Sequence, residues 1–179
     1  MDIEQNISLL EEILSDWKAI IGSEYDGYRN HVYRMIHLCL ALKDCNEQER
    51  EKIIIAAAFH DIGIWVDDTL DYLPPSIPPA TAYLKENNRE DWAEEITLMI
   101  NEHHKLREYK NAAYPLVELF RKGDLVDFSL ALFTFGIPKP YIKAVKVAFP
   151  NAGFHKNLAK RAARWFIKHP LNPAPMMKW

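Results

Sequence analysis

The chain has 179 residues, of which 49% are apolar and 26% charged, and its net charge is −3 with the histidines neutral. That length suits one domain with a sizeable core, and the mild acidity provides no field that would gather nucleic acid or an anionic membrane. Two cysteines are too few for a disulfide framework, the first residues are polar and acidic, and no apolar run approaches the ~20 residues that cross a bilayer. The expectation is a cytoplasmic protein with reduced thiols, no nucleic-acid partner and no membrane partner, and with self-association left open.

Apolar residues at 3, 7, 10, 14, 17 and 21 predict a first helix over 3–21, stopped by Gly22. A second is predicted over 25–42, with Tyr28, Val32, Met35, Ile36, Cys39 and Leu42 on its core side. Asn46 and Glu49 have capping-box spacing and open a third, which climbs into the apolar run 53–59. The pattern breaks after Trp65, and 66–75 reads as a loop with a proline exit. Ser76 is expected to cap a short helix with Pro78 and Pro79 in its first turn, ending near Asn87. Amphipathic helices are predicted over 91–104 and 116–133, and two closing helices over 139–148 and 157–169. No stretch reads as a strand. The expected fold is all-α: a single-domain helical bundle over 1–169, followed by an extended proline-rich tail, 170–179.

The run 53–59 ends in His60 and Asp61. Burying the run carries both to the edge of a core, where an ionised carboxylate is costly unless compensated. A divalent metal would compensate both, taking a carboxylate oxygen and an imidazole nitrogen. His31 lies on the helix before this pair and Asp124 on a helix after it. Together they would give two imidazoles and two carboxylates from three helices, which a bundle can bring together in its interior.

His31 with Arg34, then His60-Asp61-Ile62-Gly63, then Asp124 in Gly-Asp-Leu-Val-Asp resembles the H…HD…D signature of the HD-domain superfamily. The resemblance covers roughly 25–130. It implies an all-helical, metal-dependent phosphohydrolase fold with His31, His60, Asp61 and Asp124 as the ligands. The implied cofactor is one divalent ion, or two, drawn from Mn, Fe, Co, Ni, Zn and Mg.

Other residues are candidates for the chemistry around that ion. Adjacent helical positions point about 100° apart, so one of His103 and His104 is expected to face the site as a further ligand or a general acid and base, His103 ahead of His104. Asp127 shares a helix face with Asp124 and would orient a ligand histidine or position water, with a surface ion pair as the alternative. An anionic phosphate needs positive charge beyond the metal, and Arg34, one turn after His31, is the leading candidate, with Lys105, Arg121 and Lys122 behind it. Asp67 and Asp68 follow the pair on a loop and would contact a sugar hydroxyl or water. The expected function is hydrolysis of a small phosphate ester, a nucleotide or related metabolite, by water activated at the metal. The alternatives are a di-iron oxygenase of the same fold and a non-catalytic nucleotide sensor or interaction module.

Overall fold

A helix buried on nearly every side needs neighbours all around it, and Tyr25–Leu42 is such a helix. In the computed structural model, which describes residues 2–177, it is the second of the chain, after α1 (Ser8–Ile21). As α2 it packs against α1, α3 (Glu47–Phe59), α7 (Pro115–Phe128), α8 (Lys139–Ala148) and α9 (Phe154–Lys168). The single turn α4 (Gly63–Val66), α5 (Leu73–Glu86) and α6 (Ala93–Glu102) complete the bundle. No strand occurs among the described residues, so the chain is all-α and forms one domain. Among the described residues, no helix is long and apolar enough to cross a membrane.

Local signals place several elements. α2 has the bounds its periodicity predicts. The capping box of α3 is complete: Glu49 N–H donates to Asn46 Oδ1 at 2.9 Å, and Asn46 N–H donates to Glu49 Oε2 at 3.1 Å. α1 starts at Ser8 rather than residue 3, because the buried Ile7 is held by Tyr33, whose hydroxyl accepts its N–H at 3.0 Å.

The loop expected over 66–75 is shorter. α5 begins at Leu73, with Pro74 and Pro75 in its first turn, where a missing N–H leaves no bond unmade. Pro78 and Pro79 therefore lie inside the helix, and Ser76 is not its cap. Ser76 is fully buried, and its hydroxyl accepts the N–H of Gly63 at 2.9 Å.

Two glycines mark close approaches. A Cβ on Gly123 would lie 2.3 Å from Cys39 Sγ, so the glycine in mid-α7 lets that helix cross α2 at short range. A Cβ on Gly63 would lie 2.2 Å from the Tyr72 carbonyl oxygen, a backbone atom with nowhere to go. Gly63→Ala should therefore cost about 3 kcal/mol, at the upper end of ordinary overpacking. A urea midpoint within experimental error of wild type would contradict the packing.

His37 lies further along α2 and packs on Phe149. Its Nε2–H donates to Glu4 O at 3.0 Å, and burial holds the imidazole below the usual histidine pKa. Unfolding frees a ring that takes up a proton below pH ~6.5 while the folded ring resists it, so stability falls as pH drops through that window. His37→Gln should make stability measured by denaturant titration less steeply dependent on pH there.

The closing segment is not simply extended. Beyond α9 the chain turns at Pro170 and Leu171 and forms a short 3₁₀ turn, Pro175–Met177, in which Pro175 is buried. The indole N–H of Trp165 donates to Asn172 O at 2.8 Å, holding this turn against α9. Lys178 and Trp179, the end of the expected tail, lie outside the described residues.

Candidate metal centre

Four chain segments converge where α3 ends. α2 contributes His31, the α3–α4 corner contributes His60 and Asp61, the end of α6 contributes His103 and His104, and α7 contributes Asp124 and Asp127. All seven are buried except His104, whose side chain is 8% exposed. His31, His60 and Asp61 form one group whose ligand atoms lie within 4.8 Å of one another, and Asp61, His103 and His104 form a second. Asp61 belongs to both. Asp124 joins them, with Oδ1 3.7 Å from His31 Nε2 and Oδ2 3.4 Å from His104 Nδ1.

The ring orientations are set from behind. His31 Nδ1–H donates to Asp127 Oδ2, His60 Nδ1–H to Ala57 O and His103 Nδ1–H to Ile100 O, each at 2.7 Å. A carbonyl or a carboxylate only accepts, so each ring carries its proton on Nδ1 and turns Nε2 inward. His31 Nε2 and His60 Nε2 then face each other at 3.0 Å as two lone pairs. Neighbouring Asp61 oxygens lie 3.2 Å from His60 Nε2 and 3.5 Å from His103 Nε2. Asp61 Oδ1 and His103 Nε2 are buried without any hydrogen-bond partner. Facing lone pairs and orphaned acceptors converging on a carboxylate are what a cation resolves, so these residues fit a divalent metal.

The protonation states agree with that use. Burial opposes charge on Asp61, yet His60 and His103 outweigh it and hold the carboxyl well below the usual range. Asp124 is likewise held down against its burial, chiefly by His104. His103 is pushed down to about 4 by burial and by His104 beside it, which leaves a neutral ring with a free lone pair. Burial would also discharge His60, but Asp61 outweighs it and raises that pKa, so a proton competes for the same position.

The all-helical chain with this buried His/Asp cluster is compatible with an HD-like fold. No family model, curated protein or solved structure matches the chain.

Both histidines of the 103–104 pair reach the cluster, where the 100° fan of a continuous helix allows one. The reason is local: α6 ends at Glu102, and both residues lie in the turn that follows, with ring centroids 3.9 Å apart. His104 spans two partners, meeting the Tyr72 hydroxyl through Nε2 and facing Asp124 through Nδ1. Burial, reinforced by Asp61, keeps the Tyr72 phenol protonated far above its usual range.

Arg34 is not turned towards the donor cluster. It is 2% exposed and grips Asp127 with both edges of its guanidinium, Nε to Oδ1 at 2.7 Å and Nη2 to Oδ2 at 2.8 Å, while Nη1 donates to Phe149 O at 3.0 Å. The Asp127 carboxylate thus has two tasks, fixing His31 from behind and pairing with Arg34. Arg121 is likewise committed, to Glu118 and to the Lys105 carbonyl. Lys122 pairs with Glu118 at 3.3 Å, and Asp68 with Arg161 at 2.7 Å. Asp67 is exposed and absent from the residues lining the cavity over His103, His104 and Asp124. Of the substrate-binding candidates, Lys105 alone lines that cavity.

Two site residues carried no sequence signal. Tyr72 stood in the presumed loop, with nothing local to tie it to a histidine 32 positions on. Phe154 stacks on His31 at 4.2 Å between ring centroids and comes from the start of α9, a long-range packing contact.

Proposed function

We propose that the protein is a metal-dependent phosphohydrolase acting on a small phosphate ester, with an HD-type centre held by His31, His60, Asp61 and Asp124. The observation that carries this reading is the orphaned pair Asp61 Oδ1 and His103 Nε2 within a buried ring of inward-turned imidazoles and carboxylates. His103 and His104 add two donors, and Asp61 is common to both groups, so the site suits one ion or two. A divalent ion there supplies Lewis acidity and lowers the pKa of water.

The chain's own residues do the rest. Lys105 at the cavity edge meets phosphate oxygens as a point charge. His104, held between Tyr72 and Asp124, is placed to hand a proton to the departing oxygen and to take one back from the attacking water, while the Tyr72 phenol stays protonated and holds the ring in place. Asp127 and Arg34 keep His31 in one orientation. The walls of the buried cluster exclude bulk water from these charges.

The test is a metal analysis of the purified protein, then a phosphate-ester screen after loading with Mn, Co, Ni, Mg, Fe or Zn. Turnover should be lost on chelation and return with one of these metals. Turnover that persists in the chelated protein would reject the reading.

One observation favours a second reading, a di-iron oxygenase. His103 and His104 both turn inward, so six donors are available rather than four. Two irons per chain after anaerobic loading, with oxygen consumption and no ester hydrolysis, would select it over the hydrolase.

A further inference from the structure

The cavity over the donor cluster is lined mostly by apolar groups. Leu106, Leu125 and Phe128 line it together with His103, His104 and Asp124. Met176 and Met177, from the segment beyond α9, complete the apolar lining. Its water-accessible volume is about 40 Å³, room for a few water molecules, so an occupant has to be compact. The segment is seated rather than loose. Pro175 is buried, Met176 packs on the cluster of Leu70, Tyr72 and Leu73, and Trp165 holds Asn172. Methionine side chains are unbranched and adapt their shape to what lies against them.

The polar equipment of this cavity is small. It consists of His103, His104, Asp124 and Lys105, and the other side chains of the lining offer carbon and sulfur. Base edges and ribose hydroxyls laid against Leu125, Met176 and Met177 would find no partner there, which a site penalises. A compact apolar group suffers no such loss and gains contact with both methionines.

We infer, building on the hydrolase reading, that the substrates are phosphate monoesters of a compact apolar alcohol or phenol, and that Met176 and Met177 are specificity-determining residues that seat the organic group. Hydrolysis adds the oxygen of water to phosphorus, breaks the ester P–O bond and returns a proton to the departing alcohol. Lys105 meets the phosphate and the methionines meet the organic group. On this inference the nucleotide expected from the sequence is the poorer substrate.

The test uses the metal-loaded full chain. Wild type and the Met176→Ala/Met177→Ala variant are assayed on phenyl phosphate and butyl phosphate against adenosine 5′-monophosphate and glycerol phosphate. Wild type should favour the apolar esters in kcat/KM by about 10-fold or more, and the variant should lose that preference while keeping its metal content and its affinity for inorganic phosphate. A nucleotide preference, or an unchanged ratio in the variant, overturns the inference and leaves the hydrolase reading standing. Methyl NMR with phenylphosphonate supplies a readout independent of turnover. The Met176 and Met177 signals should shift while those of Met35 and Met99, both in the core, stay put. If wild type hydrolyses no ester, the hydrolase reading fails, and the same titration still decides the pocket. Shifts confined to Met176 and Met177 uphold an apolar wall, and their absence overturns it.

Discussion

Replacing Asp61 with alanine should strip the protein of bound metal and of hydrolysis together. Asp61 is the one residue common to both donor groups, with Oδ2 towards His60 and Oδ1 towards His103. Its carboxylate is also a charge that would offset a divalent ion at the centre of the ring. A metal's Lewis acidity supplies several kcal/mol of transition-state stabilisation, so its loss should lower kcat by about 10³-fold or more. Asp61→Asn, which keeps the shape and removes the charge, should behave nearly as badly. Elemental analysis of the gel-filtered variant should find metal near background. Robust hydrolysis by Asp61→Ala, or a full complement of tightly held metal, would sink the assignment of this centre.

Asp127→Ala should act through stability first and metal second. The alanine leaves the guanidinium of Arg34 buried with neither of its carboxylate bonds, a situation that typically costs 3–5 kcal/mol. It also removes the acceptor that fixes the His31 ring, so metal affinity should fall about 10- to 100-fold. A double variant separates the two effects. Arg34→Met with Asp127→Leu removes both charges, so most of the stability should return in urea titrations while the affinity deficit persists. Wild-type metal affinity in that double variant would show that Asp127 does not orient His31.

What could be read from the sequence was what short-range chemistry decides. The bounds of α2 follow from its periodicity, and the start of α3 follows from two side chains three residues apart. The structure gathers His31, His60, Asp61 and Asp124 because apolar faces on their helices all seek the same core. Nothing local in the sequence accounts for Gly123 in mid-helix, and its reason lies across the helix interface at Cys39.

The rest depended on partners distant in sequence or on where a helix stops. His103 and His104 both turn inward because α6 unwinds at Glu102, and helical spacing cannot foresee its own failure. Arg34 shares a face with His31, which suggested a phosphate; the carboxylate it meets lies 93 residues away on α7. The prolines at 74 and 75 read as a loop exit, yet a first helical turn tolerates them equally well. The placement of Met176 and Met177 in the cavity lining rests on a chain turn beyond α9 that no local pattern announces.

The bonds around Arg34 and Asp127 also bear on how the protein could be dissected. The stretch that carries the motif ends near residue 130, yet Arg34 is tied to the carbonyl of Phe149, and His155 Nε2–H donates to Asp127 O at 3.2 Å. Phe154 stacks on the far side of His31. A fragment cut after α7 would keep His31, His60, Asp61, His103, His104 and Asp124 and lose the parts that hold His31 in place. The centre is therefore not a portable module: grafting the motif-bearing helices onto another scaffold would transfer the ligands without their aim, and the last two helices would have to travel with them.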